Sequence, residues 1–218
     1  MIPVHDVIPI RTRPAVTAAL VFVLAGVAFV PGFRDPCLSA LGSPAGDPHS
    51  WFVGLLARFA VHRDWVHVGS NMLALWVFGP VIEDRMGHGR YAGFALACWY
   101  AGAAAAMLPR LPPAVHVGST GLAAGLVAAY TVQFPRSRAV VPLPAITGLE
   151  LADVPAWFVS ASWALLQLVD PVSPAAMVGG AIAGVAGWFV ARRPERLRVE
   201  WWAPMRSKAA MVGRKHGR

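Results

Sequence analysis

The chain has 218 residues, of which 56% are hydrophobic and only 14% are charged, with a formal net charge of +8. Soluble globular domains have roughly 25% charged residues, so this chain lacks the polar surface that a soluble protein of its size needs. Its mean hydropathy of +0.54 also indicates a largely apolar chain. The composition indicates an integral membrane protein, in which excess Lys and Arg is a topology signal and not a sign of nucleic-acid binding.

Six windows without Asp, Glu, Lys or Arg approach the roughly 20 apolar residues that a helix needs to cross a bilayer. In chain order they are 15–33, 65–82, 91–108, 114–134, 154–169 and 171–191. The sequence therefore predicts an all-α fold, a polytopic bundle of six transmembrane helices in the cell membrane. The predicted membrane domain covers residues 15–193, between an N-terminal cytoplasmic segment, 1–14, and a basic cytoplasmic tail, 194–218.

The distribution of basic residues predicts the orientation of these spans. With the N-terminus inside, fifteen of the 19 Lys and Arg residues fall on the cytoplasmic side, and only Arg34, Arg58, Arg63 and Arg110 fall outside. Cytoplasmic loops carry an excess of Lys and Arg, so both termini are predicted to be cytoplasmic. The basic tail suits contact with anionic lipid headgroups, although a solvated tail with a topology role explains it equally well.

The first window raises the alternative of a cleaved signal peptide, because Arg11 and Arg13 precede its apolar run. The stretch "FVPGFRDPC" that follows has no small-x-small cleavage site. We therefore interpret the window as a retained span.

The residue types that usually hold metals are sparse in this chain. Two cysteines, Cys37 and Cys98, are too few for a disulfide framework and do not have metal-site spacing. A zinc site of His62, His67 and His116 would lack a supporting carboxylate. We expect no metal and no cofactor.

Polar residues inside a span are costly and are candidates for function by default. In "HVGSN", His67 and Asn71 are four residues apart and so share one helix face. Both can donate hydrogen bonds, and donors aimed into a cavity could stabilise an oxyanion. The spacing alone favours the simpler interpretation, an interhelical polar contact.

The stretch "HVGSTGLAAG" places a Ser–Thr pair, Ser119 and Thr120, between glycines in an apolar segment. His116 lies four residues before Thr120, but it would have to reach along its own helix to act as a base. Small residues let membrane helices approach closely, which predicts that the fourth and sixth spans pack together. The glycines on which this prediction depends are Gly118, Gly121 and Gly125 in the fourth span and Gly179, Gly180 and Gly184 in the sixth.

Several ordered motifs resemble the rhomboid family of intramembrane serine proteases, over about residues 50–191. The family pattern His-x-x-x-Asn followed by Glu-x-Arg-x-Gly is present as "HVGSN" and "EDRMG". The fifth span, "VPAWFVSASWALLQL", is also similar to bacterial members. This resemblance implies a six-helix bundle with a cavity open to the outside, containing a serine on the fourth span and a histidine on the sixth.

The two positions of that implied dyad are substituted here. The turn Gly118-Ser119-Thr120-Gly121 has Thr120 at the nucleophile position, and "SPAAMVGGAIAG" has Met177 at the base position. A hydroxyl is a weak nucleophile until a base takes its proton, and methionine cannot take one. Loss of one dyad partner in a serine hydrolase costs up to about 10⁶ in turnover. The usual dyad mechanism is therefore predicted to be absent, while His67 and Asn71 still line a cavity.

Three functional interpretations follow. The leading hypothesis is a catalytically inactive pseudoprotease that binds transmembrane segments of client proteins. The alternative is an active intramembrane serine-type endopeptidase with a non-standard nucleophile or base, for which Ser119 near His67 is one arrangement. A transporter or channel is disfavoured, because the spans lack the charged residues that ion-coupled transporters usually need.

Overall fold

The computed structural model of the chain describes residues 5–6, 10–28, 62, 64–106, 118–145, 148–169 and 174–192. These residues form six helices and one small sheet. The helices are α1 (Ala15–Ala28), α2 (Trp65–Met86), α3 (His88–Ala106), α4 (Thr120–Gln133), α5 (Ala156–Val169) and α6 (Pro174–Ala191), and the strands are β1 (His5–Asp6), β2 (Arg138–Ala145) and β3 (Gly148–Pro155).

Each described helix begins within, or close to, one of the six apolar windows. Within the described part of the chain, α2 and α6 are both long and apolar enough to cross a membrane, and α1 is apolar but shorter. The helical character of the chain agrees with the predicted fold class. The number of spans and the side on which the termini lie remain predictions. The basic tail, 194–218, lies outside the described residues.

The fold class needs one correction, because the chain is not purely α-helical. The connection between α4 and α5 contains the antiparallel pair β2 and β3, which run in register from Arg138 opposite Pro155 to Ala145 opposite Gly148. The N-terminal strand β1 pairs with the other edge of β2. Strand β2 contains Pro142 and Pro144, although proline is disfavoured in strands. Both prolines lie beyond Ala139 and Val140, the residues of β2 that pair with β1, so in the described part of the chain they have a strand partner, β3, on one side only.

The centre of the bundle is a three-helix contact among α3, α4 and α6 made by glycines. A Cβ atom on Gly180 would overlap the backbone of Gly121, and a Cβ on Gly184 would overlap the backbone of Gly125. A Cβ atom on Gly102 of α3 would overlap the backbone of Gly121 in α4. The backbones of α4 and α6 touch directly, which fixes where the N-terminus of α4 lies.

Two carboxylates near the end of α2 hold the beginning of α1. Glu83 is fully buried and accepts hydrogen bonds from the backbone N–H groups of Val16 and Thr17, at 2.9 and 2.8 Å, and from the Thr17 hydroxyl. Asp84 accepts from the backbone N–H and the hydroxyl of Thr12. Since the first N–H groups of a helix have no partners within it, Glu83 caps α1 from a neighbouring helix.

Candidate functional site

The candidate site lies where the first two turns of α2 meet the N-terminus of α4. Helix α2 begins at Trp65 because the side chain of Asp64 caps it, accepting a hydrogen bond from the backbone N–H of His67 at 2.9 Å. This cap places His67 in the first turn and Asn71 one turn later, on the face that packs against α4. Both side chains are buried, with 1% and 0% exposure.

The hydroxyl of Thr120 is held between these two side chains. His67 Nε2 lies 2.7 Å from Thr120 Oγ1, and Asn71 Nδ2 donates to the same oxygen at 3.2 Å. Thr120 is itself 2% exposed. The two donors that the sequence suggested for an oxyanion are therefore both engaged with the residue at the nucleophile position.

A second set of contacts orients Asn71. Gln167 of α5 donates from Nε2 to Asn71 Oδ1 and to Ser70 Oγ, each at 3.1 Å. Trp163, one turn earlier, donates from Nε1 to the backbone carbonyl of Ser70 at 3.1 Å. Because the amide oxygen of Asn71 accepts from Gln167, its NH₂ group is turned toward Thr120. In the sequence, Gln167 and Trp163 are noticeable only within the fifth-span motif that resembles bacterial rhomboids, and no motif singles out Ser70.

The second hydroxyl of the turn, on Ser119, faces a different imidazole. His62 Nε2 lies 3.1 Å from Ser119 Oγ, and the backbone N–H of Ser119 donates to the same nitrogen at 3.3 Å. An amide N–H can only donate, so this Nε2 acts as an acceptor and the Ser119 hydroxyl is the donor. Sequence reasoning considered His67 and His116 as partners of these hydroxyls. It treated His62 only as a possible metal ligand, while His116 lies outside the described residues.

The residue before this pair must be glycine. Gly118 has φ of +96°, a left-handed backbone conformation that costs an L-residue with a side chain about 1–2 kcal/mol. A Cβ atom there would also lie 2.9 Å from ring carbons of both His62 and His67. The two rings are 5.1 Å apart in an edge-to-face arrangement. Gly118 thus lets both imidazoles close on the two hydroxyls.

Met177 stands at the other substituted position, on α6. It lies three residues before Gly180, which contacts Gly121, so Met177 lies one turn further along the same helix face, toward the N-terminal end of α4. Its side chain is partly buried and packs against the apolar core. A thioether there can fill space but cannot take a proton from a hydroxyl.

The described part of the chain contains no group of three or more His, Cys, Asp or Glu side chains arranged to hold a metal ion. His62 and His67 are instead engaged with hydroxyl groups. Cys98 is buried and unbridged, and its Sγ lies against Gly125 of α4.

An apolar helical bundle with imidazole, amide and hydroxyl groups buried together at one end defines a membrane protein with an interior polar site. The family model described as "Rhomboid domain" matches residues 49–194. The chain is 27% identical over 159 residues to "Rhomboid protein 1, mitochondrial" of Saccharomyces cerevisiae, a match that covers 67% of this chain and 44% of the yeast protein. It therefore spans less than half the length of that relative. This chain belongs to the rhomboid family.

Proposed function

We propose that this chain is a multi-pass pseudoprotease of the cell membrane, which binds transmembrane segments of client proteins and does not cut them. The observation that carries the proposal is the position of the Thr120 hydroxyl, held by His67 and Asn71, with a methionine at the base position on α6. The dyad that the family resemblance implies would instead pair a serine at position 120 with a histidine at position 177 of α6.

The contacts of Thr120 argue against its use as a nucleophile. With Met177 unable to accept a proton, His67 is the remaining imidazole in contact with Thr120. If His67 took the hydroxyl proton, the same Nε2–H would have to stabilise the oxyanion and also protonate the leaving group. Asn71 also occupies one lone pair of the hydroxyl oxygen, and the β-methyl group of threonine restricts its rotamers. The single imidazole of His67 would have to act both as the general base and as the oxyanion donor, and it would fill neither role well.

The same cluster supports binding of a polypeptide segment. His67, Asn71, Ser70 and Gln167 are buried polar groups whose side chains can donate hydrogen bonds to a polypeptide backbone or accept them from it. A client segment that parts the helices over this buried cluster can present backbone carbonyls, which replace the Thr120 hydroxyl as acceptor for His67 and Asn71. Interhelical hydrogen bonds of this kind are worth about 0.6 kcal/mol on average, so the exchange costs little.

The test places three proteins in liposomes with a panel of single-span substrates that carry a photocrosslinker. They are the wild type, the double variant Thr120→Ser/Met177→His and the single variant Asn71→Ala. We expect the wild type to crosslink to segments without cutting them, Asn71→Ala to crosslink less, and the double variant to cut. Gly93→Ala, a change at an exposed position of α3 with open space around it, is the matched control.

Cleavage by the wild type that is lost in Asn71→Ala would overturn the proposal that the protein does not cut. Crosslinking no greater than that of an unrelated membrane protein would overturn the binding part. If the double variant did not cut either, the scaffold would lack more than its dyad.

A second candidate function, an active intramembrane serine-type endopeptidase, is favoured by the contact between Ser119 and His62. It requires cleavage of a client peptide bond by the wild type. That cleavage would disappear in Ser119→Ala and persist in Thr120→Val, whereas a protease using Thr120 would show the reverse pattern.

A further inference from the structure

We infer that Ser119 and His62 form a nucleophile–base pair of their own, separate from the substituted dyad, which accepts acyl groups from small activated carboxylic esters. This inference goes beyond client binding, and it does not require that any transmembrane segment is cut. It commits Ser119 to the role of nucleophile and His62 to the role of general base.

The orientation of the His62 ring is the first support. Its Nε2 accepts a hydrogen bond from the backbone N–H of Ser119, which turns this nitrogen toward the serine. The hydroxyl at 3.1 Å is within the reach that proton transfer to a general base needs. A serine next to such an imidazole has the activation that an isolated hydroxyl lacks.

The conformation of Ser119 is the second support. Ser119 is the N-cap residue of α4, and serine at this position normally accepts a hydrogen bond from an N–H group of the first turn. Here the side chain makes no capping hydrogen bond, because its oxygen is turned toward His62. The capping stabilisation, typically about 1 kcal/mol, is forgone in favour of the contact with the imidazole.

The same geometry provides donors for the charge that develops during acyl transfer. Since Ser119 does not cap the helix, the N–H groups of Thr120 and Gly121 have no acceptor within α4. They point out of the positive end of a 14-residue helix, where a negatively charged oxygen is stabilised. His67 and Asn71 remain bonded to Thr120 and are not needed for this step.

The reaction balances without a further cofactor. Ser119 Oγ attacks the ester carbonyl carbon while His62 Nε2 takes the hydroxyl proton, and the carbonyl oxygen becomes negatively charged. The bond from the carbonyl carbon to the alkoxy oxygen then breaks, and the alcohol leaves with the proton from His62. Water, activated by His62, subsequently releases the carboxylic acid and restores the serine.

Small activated esters are the substrate class because of the burial of the pair. Ser119 is 0% exposed and His62 is 6% exposed, so a reagent must be small and apolar to reach them through the protein or from the lipid. A phenolic leaving group departs without strong acid assistance, whereas the amine of a peptide bond has to be protonated as it leaves.

The experiment uses the full chain in detergent micelles with an alkyl fluorophosphonate, followed by peptide mass spectrometry, and with p-nitrophenyl butyrate, followed by nitrophenol release. We expect one phosphonyl adduct, on Ser119, and a stoichiometric burst of nitrophenol. His62→Ala should lower the rate of both reactions by at least about 10²-fold, the lower range for a general base. Free imidazole should restore part of that loss.

Ser160 provides the matched control, because it is also a buried serine but donates to a backbone carbonyl of its own helix. Ser160→Ala should change neither reaction. His62→Gln accompanies His62→Ala in case the alanine variant does not fold, since glutamine keeps a hydrogen-bonding side chain but is not a base.

An adduct on Thr120, no adduct at all, or labelling of Ser119 that is undiminished in both His62 variants would overturn the inference. Labelling without a nitrophenol burst would overturn the substrate class. None of these outcomes bears on client crosslinking, which uses Asn71→Ala as its readout, so failure of one proposal is distinguishable from failure of the other.

Discussion

Two glycine-to-alanine substitutions are expected to change the stability of the bundle in opposite directions, because one lies in the contact between α4 and α6 and the other does not. Replacement of Gly180 by alanine adds a Cβ that would lie 2.6 Å from Gly121 Cα, and closer still to its carbonyl oxygen. Replacement of Gly93 by alanine adds a Cβ at an exposed helical position where nothing lies within 4 Å. The two changes alter the same covalent group on α-helices of the same bundle.

The expected magnitudes follow from two effects. Both substitutions gain helix propensity of about 1 kcal/mol. At Gly180 the obstructing atoms are backbone, so α4 and α6 have to separate by about 1 Å to restore a normal carbon–carbon distance. Overpacking of this kind costs about 1–3 kcal/mol, and the upper end applies because the contact of Gly184 with Gly125 is loosened as well. We expect Gly180→Ala to lose about 2 kcal/mol net and Gly93→Ala to gain up to about 1 kcal/mol.

Unfolding by SDS in mixed micelles, followed by tryptophan fluorescence, measures both free energies. The nine tryptophans provide the signal. If Gly180→Ala were as stable as the wild type, or if the two variants changed stability in the same direction, the direct backbone contact between α4 and α6 would be wrong. The positioning of the N-terminus of α4, and with it the geometry of the site, would then need revision.

Further substitutions at Glu83, Gly118 and Trp163, with Asp84→Asn for comparison, test other contacts. Glu83→Gln should lower the free energy of unfolding by about 3 kcal/mol in the same SDS titration. The fully buried carboxylate caps α1, and hydrogen bonds to charged groups are worth about 1.5–3 kcal/mol each. Asp84→Asn, whose contacts are partly exposed, should lose less. Gly118→Ala should reduce both client crosslinking and fluorophosphonate labelling, because its Cβ displaces the ring of His62; unchanged yields in both assays would contradict the left-handed turn. Trp163→Phe should lose about 1 kcal/mol, the value of one hydrogen bond to the backbone of α2, and no loss would mean that α5 is held there by packing alone.

The positions of the helices could be predicted from the sequence, because charged side chains are costly inside a membrane. Long apolar windows without Asp, Glu, Lys or Arg therefore mark the helices. The small sheet could not be predicted, since Val140 and Val141 favour strands while Pro142 and Pro144 oppose them. Only the pairing with β3 and with β1 decides between these tendencies, and such pairing depends on residues that are far apart in the chain.

The site was predictable in part for a related reason. The spacing of His67 and Asn71 places them on one helix face, and this local rule could be applied without a structure. The contact of Ser119 with His62 could not be deduced, because His62 precedes the helix cap at Asp64 and its direction depends on how the chain enters α2. A positive φ at Gly118, which brings both histidine rings close to the turn, is likewise a consequence of the tertiary fold.

The two hydroxyls of the turn are chemically independent, although they are adjacent in the sequence. Successive residues at the start of a helix point about 100° apart, and accordingly Ser119 faces His62 while Thr120 faces His67. A base introduced on α6 should therefore serve position 120 and leave Ser119 unaffected. We expect Met177→His alone to leave fluorophosphonate labelling of Ser119 within twofold of wild type. The double variant Thr120→Ser/Met177→His should carry a second label, at position 120. If Met177→His by itself raised labelling of Ser119 strongly, the base from α6 would reach both hydroxyls, and the division of the site into two imidazole–hydroxyl pairs would be wrong.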